Sequence, residues 1–173
     1  MSFTTSSHFA SSIARGTDWR DTAKAVLEAL KTAKPPEGEA FNLGFIYVSD
    51  HLAQDVGSIV NLFRSVLNIE DWSGCVGIGV CGAGEEFFDA PAIAAMIGAF
   101  PQDSFCTFAP LKMEPGAAED SINAWKAGHT PMLVLAHGDP TGVEEPARLL
   151  QKLDALSGGF VVGGGSTSRM QYA

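Results

Sequence analysis

The chain has 173 residues, 46% of them hydrophobic and 18% charged. That balance fits one globular domain with a sizeable core over residues 1–173 and excludes large-scale disorder. A net charge of −9, with eleven Lys and Arg scattered along the chain, excludes nucleic acid as a partner, because phosphate-backbone binding lacks its main driving force. Three cysteines (Cys75, Cys81, Cys106) form no C-x-x-C pair and the four histidines lack ligand spacing. Neither a disulfide framework nor a zinc site is expected, no cofactor is implied, and a reducing cytoplasm fits best. The longest apolar stretch, Pro91 to Phe100, falls far short of the ~20 residues that span a bilayer. The start of the chain lacks the basic-then-apolar pattern of a secretory signal, so no membrane partner is expected.

The first dozen residues, rich in Ser, Thr and Phe, read as a strand. Asp18 is placed to cap a helix whose inner face carries Ala23, Val26, Leu27, Leu30 and Ala33, stopped by Pro35-Pro36. Phe41 to Ser49 is a near-continuous apolar run, as in a strand buried on both faces. A second helix follows, with Leu52, Val56, Ile59, Val60, Phe63, Val66 and Leu67 at three- and four-residue spacing. The stretch from Gly74 to Ala92 supplies one or two strands. Two more are expected at Ala92 to Phe100 and Phe105 to Lys112, then a short helix around Ile122 and Trp125. Pro131 to His137 reads as a buried strand. After it comes a helix from about Val143 to Leu156, with Leu149, Leu150, Leu153 and Leu156 inward, and a last strand at Gly159 to Val162 that runs into a glycine loop. Strand–helix pairs at both ends with consecutive strands between them predict an α/β layered sandwich: a mixed, largely buried sheet flanked by helices, with α+β as the alternative.

Five glycines within eleven residues (Gly74, Gly77, Gly79, Gly82, Gly84) mark a backbone that something must approach closely. Alternation puts Gly77 with Gly79 on one face, and Gly82 with Gly84 on one face after a turn. Gly77-x-Gly79-x-x-Gly82 formally matches a dinucleotide fingerprint, but Pro91 and Phe87-Phe88 stand where its helix should run, which favours a hairpin. His137-Gly138-Asp139-Pro140 follows a strand, where α/β sheets bind ligands; Asp139 equally suits a turn or a helix cap. Gly163-Gly164-Gly165-Ser166 offers N–H groups and a hydroxyl to an anion, or is merely a loop. A catalytic reading pairs Cys75 or Cys81 with His137 as base. Glu85 and Glu86 point to opposite faces of a strand and make a poor acid–base pair.

In order, Gly74-Cys75, Gly79-Val80, Gly84-x-Glu86 and Pro91-Ala92 resemble the central motif of the FIST N domain. The resemblance extends through Phe100-Pro101, a strand reaching Phe108, Asp139-Pro140, and Gly163-Gly164 with Ser166, covering about Phe9 to Ser168. It implies an intracellular sensory domain for small ligands, amino acids among them, that signals rather than turns over substrate. Members usually continue into a FIST C domain, which is absent from this chain, so a protein partner supplying that or an output domain is expected.

The combined expectation is a non-enzymatic, small-ligand-binding sensory domain for amino acids or small carboxylates. Gly79, Gly82 and Gly84 form a close-approach wall, and Glu86 and Asp139 receive an ammonium group. N–H groups around Gly164 to Ser166 hold a carboxylate, with His137 alongside. The alternative is a protein-interaction or scaffolding module without a small ligand, and behind it a cysteine-dependent enzyme.

Overall fold

The computed structural model describes residues 7–140 and 146–169. The chain divides into two compact units, residues 7–102 with 167–169, and residues 103–166.

The first unit is built on a four-stranded mixed sheet. Strand β1 (Phe9–Arg15) precedes helix α1 (Trp19–Leu30), and β2 (Leu43–Ser49) precedes helix α2 (Val56–Leu67) through a 3-10 segment, Asp50–Asp55. Then come β3 (Asp71–Gly77), a hairpin of β4 (Gly79–Gly82) and β5 (Glu85–Phe88), and β6 (Ala92–Gly98). The sheet order is β1-β6-β2-β3; only β2 and β3 run parallel. Asp18 caps α1 as its spacing predicts, its carboxylate accepting from the Arg20 and Asp21 N–H groups at 2.8 and 3.2 Å. The helix stops at Leu30, so Ala33 lies beyond its inner face. Asn68, in the left-handed conformation, ends α2.

Period-two alternation divides the sheet cleanly between two cores. Ile46 and Val48 of β2 and Ile93, Ala95 and Ile97 of β6 pack with Val26, Leu30, Ile59 and Phe63 from the helices. Ala92 and Ala94 face the other way, with Ile13 and Tyr47, and meet Val80 and Phe87 of the hairpin. The helices therefore cover one face of the sheet and the glycine-rich hairpin lies on the opposite face. Burial of this many apolar side chains, at roughly 1.5–3 kcal/mol each, dominates the stability of the unit.

Glycine-rich sequence thus becomes three short strands instead of one or two, with the hairpin turn at Ala83-Gly84. Both turn residues have positive φ (53° and 84°), the pattern of a type I′ turn, and Gly84 suits it at no steric cost. Because the turn falls here, Gly82 belongs to β4 and faces the sheet with Val80; it does not follow a turn to share a face with Gly84. Gly74 has φ 157°, and a Cβ there would sit 1.7 Å from the Ile46 carbonyl oxygen, so β3 and β2 can pair only through a glycine.

The second unit is smaller. Helix α3 (Ala117–Lys126), strand β7 (Leu133–Gly138), helix α4 (Pro146–Ser157) and strand β8 (Phe160–Gly165) surround a core of Ile122, Val134 and Leu153, with β7 and β8 paired in parallel. Three expectations fail here. No strand forms over 105–112, because Phe108 and Leu111 anchor this stretch to the core with a helical spacing and Pro110 has no N–H for a ladder. Lys152 instead fastens its end, donating to the Lys112 and Met113 carbonyls at 2.6 and 2.8 Å. Leu150 points outward and is 52% exposed, since Leu149, Leu153 and Leu156 already define the inner stripe of α4. Strand β7 is not buried on both faces: Val134 is buried, whereas Leu133 is 62% exposed. The start of the α4 helix expected from Val143 lies outside the described residues.

Candidate functional site

Parallel strands leave their carboxyl ends free for ligands, and both units have such an end. In the second unit β7 and β8 finish side by side, with His137 opposite Gly164 and Gly138 opposite Gly165. The triple glycine is strand, not loop: Gly163 lies so close to β7 that a Cβ would sit 1.7 Å from the Ala136 carbonyl oxygen. Around Gly138 and Gly164 an added Cβ would meet nothing within 4 Å, so space opens at these positions. The Ser166 N–H is occupied, donating to the Gly138 carbonyl at 2.7 Å. Its hydroxyl is different. Ser166 is 5% exposed, yet its Oγ has no hydrogen-bond partner among the described residues. Burial lowers the pKa of the half-buried His137, favouring the neutral ring with one donor and one acceptor nitrogen. Asp139 follows β7 as an exposed side chain. His137, Asp139, Gly164 and Ser166 are therefore grouped at one strand end of one unit.

The other four expected residues belong to the hairpin of the first unit. The register pairs Gly79 with Phe88 and Cys81 with Glu86, which places Gly79, Cys81, Glu86 and Phe88 on the outer face of the hairpin. Val80, Gly82, Glu85 and Phe87 take the inner face, where a Cβ on Gly82 would lie 3.7 Å from that of Ala94. Gly82 and Glu86 consequently face opposite ways. Glu86 presents its carboxylate to solvent.

A charged constellation that sequence reasoning missed occupies the carboxyl end of β2. Ser49, fully buried, accepts from the Ala92 N–H at 2.9 Å and fixes the point where the chain leaves the sheet. Asp50 comes next, with a side chain 2% exposed, and holds Arg169 in a fork: Nε to Oδ2 and Nη2 to Oδ1, both 2.8 Å. The Arg169 hydrogen bonds push the Asp50 carboxyl down to about 2. Nη1 of Arg169 donates to Asp89 Oδ1 at 2.6 Å, and the His51 ring lies 3.5 Å from Nη2. Thr167 docks the same segment on β3, its N–H reaching the Val76 carbonyl at 3.1 Å and its Oγ1 accepting from the Ile78 N–H at 3.1 Å. The available signal was an Asp-His pair directly after a buried strand; its partner, 119 positions away, was not readable.

Cysteine chemistry gains nothing from this geometry. Burial raises the Cys75 thiol pKa, the opposite of what a nucleophilic thiolate needs. A cleft of about 460 Å³ in the second unit is lined by residues between Ala109 and Glu119, and Glu119 there is ion-paired with Lys152.

Comparison with known families decides the relationship: the FIST N domain model matches residues 42–173. The chain belongs to the FIST N domain family. No curated protein and no solved structure matches it. Family membership is consistent with a sensory domain of signal transduction, as the order of glycine and proline landmarks implies. The matched range begins just before β2, so in this FIST N domain both strand ends described above fall within the family's extent. No helix among the described residues is long and apolar enough to cross a membrane.

Proposed function

We propose that this FIST N domain is a cytoplasmic, non-enzymatic sensor that binds a small polar ligand, an amino acid or small carboxylate, and passes its occupancy to a partner or output domain. The observation that carries this reading is the Ser166 hydroxyl, buried with no partner among the described residues at the carboxyl end of a parallel strand pair. A buried orphan hydroxyl costs about 1–3 kcal/mol, a cost that a ligand's polar group would relieve. Ser166, the neutral His137 and the exposed Asp139 would contact the ligand, with open space over Gly164. On the other unit, Gly79, Gly82 and Gly84 shape the hairpin, and Glu86 on its outer face is a separate acidic group. Thermal-shift screening of the amino acids and small carboxylates tests the reading. A ligand at a hundredfold its dissociation constant adds about 2.7 kcal/mol, and no stabilisation by any of them would refute it.

A second reading has its own observation. Leu133 and Phe160 are cross-strand partners, 62% and 72% exposed, and the neighbouring Met132 is 87% exposed. A parallel sheet normally has both faces covered, so this apolar pair favours an interaction module. Phe160→Ser should then abolish capture of a partner while leaving ligand-induced shifts intact.

A further inference from the structure

Both helices of the second unit pack on one face of its strand pair. Ile122 of α3 and Leu153 of α4 meet Val134 there, with Ala136 and Val161 beside them. Alternation sends Leu133, Leu135, Phe160 and Val162 to the other face. The register sets Leu133 opposite Phe160 and Leu135 opposite Val162, two apolar levels one above the other. Neither strand contains an Asp, Glu, Lys or Arg. The first level is the bare one: Leu133 and Phe160 are 62% and 72% exposed, whereas Leu135 and Val162 are half-buried.

We infer that this face is covered by a second copy of the chain, stacked sheet on sheet about a two-fold axis parallel to the strands. Such an axis lays β8 of each copy over β7 of the other at the same level. Phe160 then meets the partner's Leu133, and Val162 meets the partner's Leu135. Each contact joins a larger side chain to a smaller one, and the symmetry makes each occur twice, as an isologous interface requires. The chemistry of the face selects this occupant. A charged segment finds no counter-charge on either strand, and an anionic lipid surface repels a chain of net charge −9. An identical face offers apolar surface alone. The bare level is small against the ~800 Å² per partner of a standard interface, so the dimer is weak, with a Kd of about 10–100 μM. The dimer rests on the interaction reading of this face given above. Contact belongs to the amino ends of the strands and leaves the Ser166 set, at their carboxyl ends, uncovered.

Sedimentation velocity of the whole chain from about 5 to 500 μM tests the dimer. The mean sedimentation coefficient should climb from monomer towards dimer over that range. Because each copy carries −9, binding should tighten at least twofold between about 50 and 500 mM salt. Phe160→Lys and Leu133→Glu change exposed side chains, so both should keep the wild-type circular dichroism spectrum, and each alone should stay monomeric. Mixed together, the two variants should dimerise, since the new ammonium and carboxylate meet across the axis while Phe160 still meets Leu133 at the other contact. A wild type that is monomeric throughout overturns the inference, as does cosedimentation of that monomer with phosphatidylcholine vesicles. A dimer that loosens in salt, survives Phe160→Lys or is not regained on mixing overturns it too. The interaction reading fails on a different result, capture of a partner that Phe160→Ser leaves intact.

Discussion

Oδ2 of Asp50 accepts both the backbone N–H of Arg169 at 3.1 Å and its Nε at 2.8 Å, joining residues 119 positions apart. A single carboxylate oxygen thus holds both the main chain and the side chain of the segment that follows β8. The same carboxylate lies at the exit of β2, an inner strand of the sheet, so the tether is fastened to the core of the first unit.

Acid should release this tether. The Asp50 carboxyl is held at about 2, below its ordinary 3.8, so the pair's stabilisation is fully present above about pH 4 and is lost as pH falls through 2. The denaturation midpoint of the wild type should drop across that window. Asp50→Asn should be less stable by about 1–3 kcal/mol at neutral pH, the cost of a buried charge-assisted hydrogen bond, and its midpoint should vary less with pH below 4. Urea melts at pH 7, 4 and 2.5 would check both points; parallel curves for the two proteins would contradict them.

Glycines in the hairpin region should differ sharply in tolerance. Gly82→Ala brings a methyl group to ordinary contact with Ala94 and should change stability by less than about 1 kcal/mol, whereas Gly82→Val overpacks by about 1–3 kcal/mol. Gly74→Ala collides with the Ile46 carbonyl and should prevent folding of the first unit. Glu86→Gln, on the exposed face, should stay within about 0.5 kcal/mol of wild type. Circular dichroism melts of the four variants would rank them.

Ser166→Ala removes a buried hydroxyl that has no partner among the described residues. Without ligand it should be as stable as wild type or more stable by up to about 1 kcal/mol, while any ligand-induced thermal shift shrinks. A loss of stability without ligand would mean that the hydroxyl is bonded in solution.

Thiol reactivity should follow exposure. Cys81 is exposed, whereas Cys75 is half-buried with its thiol pKa raised by burial. Iodoacetamide at pH 7.5, followed by peptide mass spectrometry, should label Cys81 first and Cys75 slowly. Fast labelling of Cys75 would reopen the cysteine-enzyme reading.

Much of the fold was legible because its signals are local. Asp18 as a cap, the apolar run ending at Ser49, the three- and four-residue spacing up to Leu67 and the strand from Ala92 are all written within a dozen residues of themselves. The strand assigned to 105–112 failed because an apolar stretch takes β structure only beside a partner strand, and Phe108 and Leu111 pack on the core of Ile122, Val134 and Leu153 without pairing. The exposed Leu133 and Leu150 were unreadable for a similar reason: period marks the inner stripe, but how much of the remainder is covered depends on neighbours.

By itself, then, the sequence determined the mixed α/β class and the family, because local periodicity, turn chemistry and landmark order need no distant partner. Tertiary structure alone decided that Gly82 faces Ala94 while Glu86 faces solvent, that the Ser166 hydroxyl is stranded, and that Asp50 grips Arg169. Register and long-range charge pairing depend on where the chain returns in space, and no spacing along the sequence encodes that return.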